Sequence, residues 1–167
     1  MPLVNDVGYS NSTETKQYHL RKVMDVHMTV VQKIQQNHGW ADRRYFYFDL
    51  NAGPGRYDGI TGSPLIAAEL AREKNLAMEK FLFECNAVNW LDLAAQLPDG
   101  HHLFDHTACL PCCCRRLYGA GKFGLLYNDP SGKRPSWEVL ELFSKSSFNL
   151  VDIMIYKLLV MHGHILA

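Results

Sequence analysis

The sequence lacks a net charge: 17 Lys and Arg balance 17 Asp and Glu over 167 residues. Proteins held to nucleic acid by bulk electrostatics carry a basic surplus, so neutrality argues against that mode of binding. Also missing is any apolar run near the roughly 18 residues that a membrane span requires. The opening residues, Met1 to Asp6, lack the basic and apolar sections of a secretory signal. A cytoplasmic protein without membrane association is expected. Five cysteines are present, but three are consecutive at Cys112, Cys113 and Cys114. A disulfide framework needs spaced partners, so thiols are expected instead. Internal repeats, low-complexity tracts and linkers are absent, and residues 1–167 read as one domain.

What is present is ordinary for a globular chain: 47% apolar and 20% charged residues, enough to bury a sizeable core. Residues 14–38 have helical composition and no proline, with Gly39 placed to stop the helix. Leu20, Val23, Val26 or His27, Val30, Val31 and Ile34 recur at three- and four-residue steps, which predicts that this face packs on the core. Its Lys16, Arg21 and Lys22 are either solvated or turned toward a substrate.

An α/β core is predicted over 45–155. Tyr45-Phe-Tyr-Phe-Asp-Leu50 is too short for a helix and reads as a buried strand. The loop Asn51 to Gly62 holds four glycines. Ser63-Pro64 then opens a helix, serine as N-cap and proline at the first helical position. Lys80 to Glu84 is a second strand, Val88 to Gln96 a second helix, His101 to Asp105 a third strand and Phe123 to Asn128 a fourth. Trp137 to Ser144 reads as a helix and Leu150 to Ile155 as a fifth strand. Such alternation implies right-handed crossovers and a mostly parallel sheet covered on both faces.

Ligands of such sheets bind beyond the carboxyl ends of the strands, where strand order reverses. Asp49 ends the first strand there, Glu84 the second, Asp105 the third and Asn128-Asp129 the fourth. Gly53 and Gly55 let the backbone approach a ligand closely. A carboxylate closing the second strand suits the two hydroxyls of a ribose. Together they point to a nucleoside-containing cofactor. The third glycine, Gly59, falls one place late for a dinucleotide fingerprint, and Glu84 lies beyond the usual spacing of about 20 residues. The helix begins too late to hold a pyrophosphate against the glycines. A cofactor without phosphates fits better, and a nicotinamide oxidoreductase is disfavoured.

Phe48-Asp-Leu-Asn-Ala-Gly-Pro-Gly-Arg-Tyr57 with Gly62-Ser-Pro-Leu65 resembles the cofactor loop of the three-Cys-motif partner proteins. Phe83-Glu-Cys-Asn86 and Leu126-Tyr-Asn-Asp-Pro-Ser-Gly132 agree with that pattern, and the likeness runs from about Lys16 to Ile155. The family is methyltransferase-like, and many members are bacterial or phage-associated. The resemblance implies a Rossmann-like methyltransferase sheet in three layers, α/β/α, with S-adenosylmethionine as cofactor. Asp49, Asn51, Ala52, Gly53, Pro54 and Gly55 would cradle it. Asp49, Gly53 and Gly55 would hold its methionine end and Glu84 its ribose, with Cys85 or Asn86 near the adenine. Asp105 takes the acidic position after the third strand, provided that strand ends at Phe104. Asn128, Asp129 and Pro130 fall where amine methyltransferases orient the target nitrogen, although Ser131 and Gly132 replace the usual second proline and aromatic.

The implied activity is methyl transfer to a nitrogen, with a nucleobase amine of DNA or RNA as one acceptor. The rival is a degenerate binding module working through a protein partner. No metal is expected. Cys109 and Cys112–Cys114 lack the second, separated pair of a structural zinc site, and His101, His102 and His106 read as surface or loop residues. Arg115, Arg116, Lys122, Lys133 and Arg134 either contact phosphates or form a solvated face. Twelve residues follow Ile155, too few for the strand hairpin that usually completes such a sheet. The expectation is a shortened chain whose fifth strand is an open edge, covered by a partner or by self-association.

Overall fold

A computed structural model describes residues 13–39, 44–97, 101–105, 123–129, 137–138, 141 and 150–155. In chain order the elements are α1 (Thr13–Asn37), β1 (Tyr45–Asp49), β2 (Arg56–Tyr57), β3 (Ile60–Thr61) and α2 (Ser63–Glu73). They continue with β4 (Met78–Phe83), α3 (Ala87–Gln96), β5 (His101–Phe104), β6 (Phe123–Asn128) and β7 (Leu150–Ile155). Five strands form one parallel sheet in the order β5-β4-β1-β6-β7. The chain steps outward from β1 to β5, then returns to lay β6 on the other side of β1. That reversal is the Rossmann-like topology, and it opens a crevice beyond the carboxyl ends of β1, β4 and β6.

Alternation along β1 sorts the two faces. Tyr45 and Tyr47 join a core with Leu82, Phe123, Leu125 and Tyr127, covered by Leu20, Met24, Met28 and Val31 of α1. Ile66, Ala67 and Leu70 of α2 and Leu93 of α3 complete this layer. On the other face Phe48 stacks on Phe81 at 4.8 Å, Phe81 on His102 at 4.9 Å, and Phe83 on Phe104 at 5.0 Å. Offset stacking across neighbouring strands adds to their area burial. Trp137, Glu138 and Glu141 are helical. They lie in the β6–β7 crossover, which right-handedness places over this second face, giving three layers. No helix among the described residues is long and apolar enough to cross a membrane.

The helix expected over 14–38 is α1, but it buries a different side. Leu20 and Val31 face the core as expected, whereas Val23, Val26 and Val30 are exposed and Met24 and Met28 are fully buried. Two ridges at helical spacing compete here. The unbranched methionines adapt to the irregular space above β1 and β6 better than stiff valines do. Arg21 pairs with Glu69 and Glu73 of α2, and Lys74 with Asp25. Arg21 is thus an inter-helix tie, and Lys22 lies over the Tyr18 ring at 5.6 Å.

The strands at 123–128 and 150–155 have their expected bounds, and β5 does end at Phe104. The segment expected as plain loop, Asn51 to Gly62, contains the small antiparallel hairpin β2–β3. Asp58 and Gly59 both take positive φ, 47° and 79°, as a two-residue turn matched to strand twist requires. The β7 strand lies at one end of the strand order.

Gly124 of β6 sits directly against β1. A Cβ there would lie 2.2 Å from the Phe46 carbonyl oxygen, which is backbone and cannot swing away. Gly124→Ala should therefore cost about 1–3 kcal/mol of stability by overpacking, read from the midpoint of urea unfolding. An unchanged midpoint would show that β1 and β6 separate freely.

Candidate functional site

The first carboxylate at the crevice is Asp49, which is fully buried. Its Oδ2 accepts hydrogen bonds from the Tyr47 hydroxyl at 2.9 Å and the Ser63 hydroxyl at 2.5 Å. Its Oδ1 accepts from the Asn51 amide at 3.1 Å. Ser63 was expected to cap α2, but Gly62 is the N-cap residue and no side chain caps it. The serine hydroxyl serves the buried carboxylate instead, because an unpaired carboxylate costs far more than an open helix end.

The second carboxylate is Glu84, immediately after β4. Its Oε2 accepts from the Gly53 amide at 2.8 Å and its Oε1 from the Asn86 amide at 2.7 Å. The glycine loop and the end of the second core strand therefore meet, as the sequence suggested they must. Gly53 has φ +68°, and a Cβ there would meet nothing within 4 Å. Gly55 differs: its missing Cβ would lie 3.2 Å from Leu93 and 3.3 Å from Gln96, so it packs on α3.

Other backbone bonds tie the loop to the sheet. Leu50 donates to the Tyr127 carbonyl at 3.1 Å and Ala52 to the Phe83 carbonyl at 3.0 Å. Gln96 holds the far side, donating to the Pro54 carbonyl at 2.8 Å and accepting from the Arg56 amide at 3.0 Å. Asn51 is exposed, while Ala52, Pro54 and Gly55 are buried. The Asn86 side chain caps α3 through Val88 and Asn89, leaving Cys85 exposed beside it. Asp105 follows β5 and is exposed.

At the end of β6, Asn128 is buried and Asp129 pairs with Lys16 of α1. Asp129 also adds a repulsive charge to Asp49, so these carboxylates share one field. Pro130 lies outside the described residues, as do Cys109, Cys112–Cys114, His106, Arg115, Arg116, Lys122, Lys133 and Arg134. His102 bonds Glu79 on the second face, away from the crevice. Sequence reasoning missed Tyr47, Ser63 as an Asp49 donor, and Gln96. A hydroxyl two residues before Asp49 on the same strand face was the available signal for Tyr47; Gln96 had none.

No protein-family model and no curated protein matches the chain. Among solved structures it is similar to the crystal structure of protein LPL1258 from Legionella pneumophila str. Philadelphia 1, family model DUF519. Identity is 16% and the TM-score 0.47, over 76% of this chain and 63% of that one. The chain therefore spans under two thirds of that protein's length.

Burial raises the Asp49 pKa from 3.8 to about 6, against the lowering by Ser63, Tyr47 and Asn51. The folded protein then holds this proton more tightly than the unfolded chain. Its contribution is complete below pH 3.8 and is lost as pH rises to about 6. The loss corresponds to about 3 kcal/mol for a shift of this size. Asp49→Asn removes the titration, so the stability difference between the two proteins should swing by that order between pH 4 and pH 7. Parallel stability–pH curves would place the Asp49 pKa near its ordinary value.

Proposed function

We propose that this protein is an S-adenosylmethionine-dependent methyltransferase acting on a nitrogen, related to the three-Cys-motif partner proteins. The observation that carries the reading is the Gly53–Glu84 contact at 2.8 Å. It brings an open glycine turn and a strand-end carboxylate together at the switch point of a Rossmann-like sheet. The residues suit the group. A carboxylate has about four acceptor positions, and the Gly53 and Asn86 amides use two of those on Glu84. The rest face the hydroxyls of a ribose. Open space at Gly53 admits the backbone's close neighbour, and Asp49 adds negative potential beside a ligand whose methionine end carries positive charge.

When bound, the cofactor supplies its methyl group: the carbon–sulfur bond breaks as a carbon–nitrogen bond forms, and the nitrogen loses a proton. The chain's own part is positioning. Asn128 and Asp129 accept hydrogen bonds from the acceptor amine and aim its lone pair, with Pro130 continuing the turn. A nucleobase amine of DNA or RNA is one such acceptor. A second reading, a cofactor-binding module without transfer that acts through a protein partner, is favoured by the Lys16 contact on Asp129.

Calorimetry with S-adenosylmethionine, its demethylated product and NAD tests the cofactor. The two adenosyl ligands should bind and NAD should not. Glu84→Ala should weaken adenosyl binding ten-fold or more, the scale of one or two lost charge-assisted hydrogen bonds. Asp129→Ala should keep that binding and lose transfer of labelled methyl to DNA, RNA or protein. Turnover that survives Asp129→Ala would remove Asp129 from the reaction. Binding without any transfer would favour the module.

A further inference from the structure

α1 runs antiparallel to the strands. His27 meets Tyr45 at the amino end of β1, and Lys16 meets Asp129 at the carboxyl end of β6. The first turn of the helix is therefore a wall of the crevice. Lys16 and Asp129 are 15% and 16% exposed, so the contact is largely screened from solvent. One residue along, Gln17 follows buried Thr13 by four positions and precedes buried Leu20 by three, on the side of α1 that faces the sheet. Its Oε1 is buried and accepts no hydrogen bond among the described residues. A buried acceptor left without a donor is costly and calls for an occupant that supplies one.

We propose that Asp129 and Gln17 form a subsite for a primary amine, and that Lys16 fills it until an amine ligand displaces it. The Lys16 ammonium shows what the Asp129 carboxylate accepts. Asp49, within reach of Asp129 electrostatically, adds to the preference for a donor of N–H bonds over an anion. A primary amine can give one N–H to Asp129 and another to Gln17, which Lys16 leaves without a donor. That this amine is the methyl acceptor rests on the proposed function; that the subsite takes an amine does not.

The test titrates n-butylammonium chloride into the full chain by calorimetry, with potassium chloride as the ionic-strength control. Adenosine is run in parallel to separate a base amine from an aminoalkyl group. Lys16→Ala and Lys16→Gln should each bind one of these probes at least ten-fold more tightly than the unsubstituted protein. Lys16→Arg, which keeps the cation, should not. Adding Asp129→Asn to Lys16→Ala should abolish the gain, and adding Gln17→Leu should reduce it several-fold. Neither probe binding more tightly to the two Lys16 variants, or a gain that survives Asp129→Asn or Gln17→Leu, overturns the subsite. Titrating S-adenosylhomocysteine into the same proteins reads the cofactor site separately, so its loss alone would sink the proposed function and leave the amine subsite standing.

Discussion

A fully buried carboxylate organises this molecule's working end. Removing Asp49 from water costs several kcal/mol unless donors replace the solvent. The donors come from three segments: Tyr47 on the same strand, Asn51 in the loop and Ser63 at the first residue of α2. The end of β1, the glycine loop and the start of α2 are thus held to one point. With both ends pinned, the chain between Gly55 and Gly62 must close on itself. It does so through the Gly62 amide, which donates to the Gly55 carbonyl at 2.6 Å. Closure is tight enough that a Cβ on Gly62 would lie 2.4 Å from that carbonyl oxygen.

The loop that leaves β1 continues the sheet's bonding for several residues. Leu50 turns to β6, Ala52 to β4, and Gly53 to the Glu84 carboxylate. Each amide finds a partner anchored in a core strand, and Gln96 secures the outer half from α3. A loop fixed in this way loses little conformational freedom when a ligand arrives, so less of the binding energy is spent on ordering it. The two strand-end acids divide the work. Asp49 braces the loop from beneath, fully inside the protein. Glu84 meets the loop's glycine at the edge of the crevice, where a ligand can share its oxygens.

The parts of this arrangement visible in the sequence were those set by periodicity and order. Short aromatic or aliphatic runs alternating with helical segments located every strand of the sheet, and the acids at the strand ends marked the crevice. What stayed hidden depended on competition between equally good local patterns. In α1 the valine ridge and the methionine ridge have the same spacing, and only the shape of the surface above β1 and β6 chose between them. Ser63 had a good local role as a cap and was drawn from it by a carboxylate fourteen residues earlier. The β2–β3 hairpin was readable, since Asp58-Gly59 is a strong turn signal, but two-residue strands give no alternation to support it. Gln96 was illegible because its partners are backbone atoms brought close by tertiary folding.

Local charge and whole-chain charge point in different directions here. The formal sum is zero, yet Asp49, Glu84 and Asp129 gather at the carboxyl ends of three adjacent strands. Carboxylates crowded in a weakly screened crevice raise one another's proton affinity, as Asp129 does to Asp49, unless a cation joins them. Lys16 is that cation, and it arrives because α1 runs against the strands and lays its first turn across the end of β6. The antiparallel course of one helix therefore supplies both the neutralising charge and the wall against which a ligand must fit. Reversing or shifting α1 by a turn would leave the sheet intact but strip the crevice of its counter-charge. On this view the helix that precedes the α/β core is part of the site rather than a cover for the sheet.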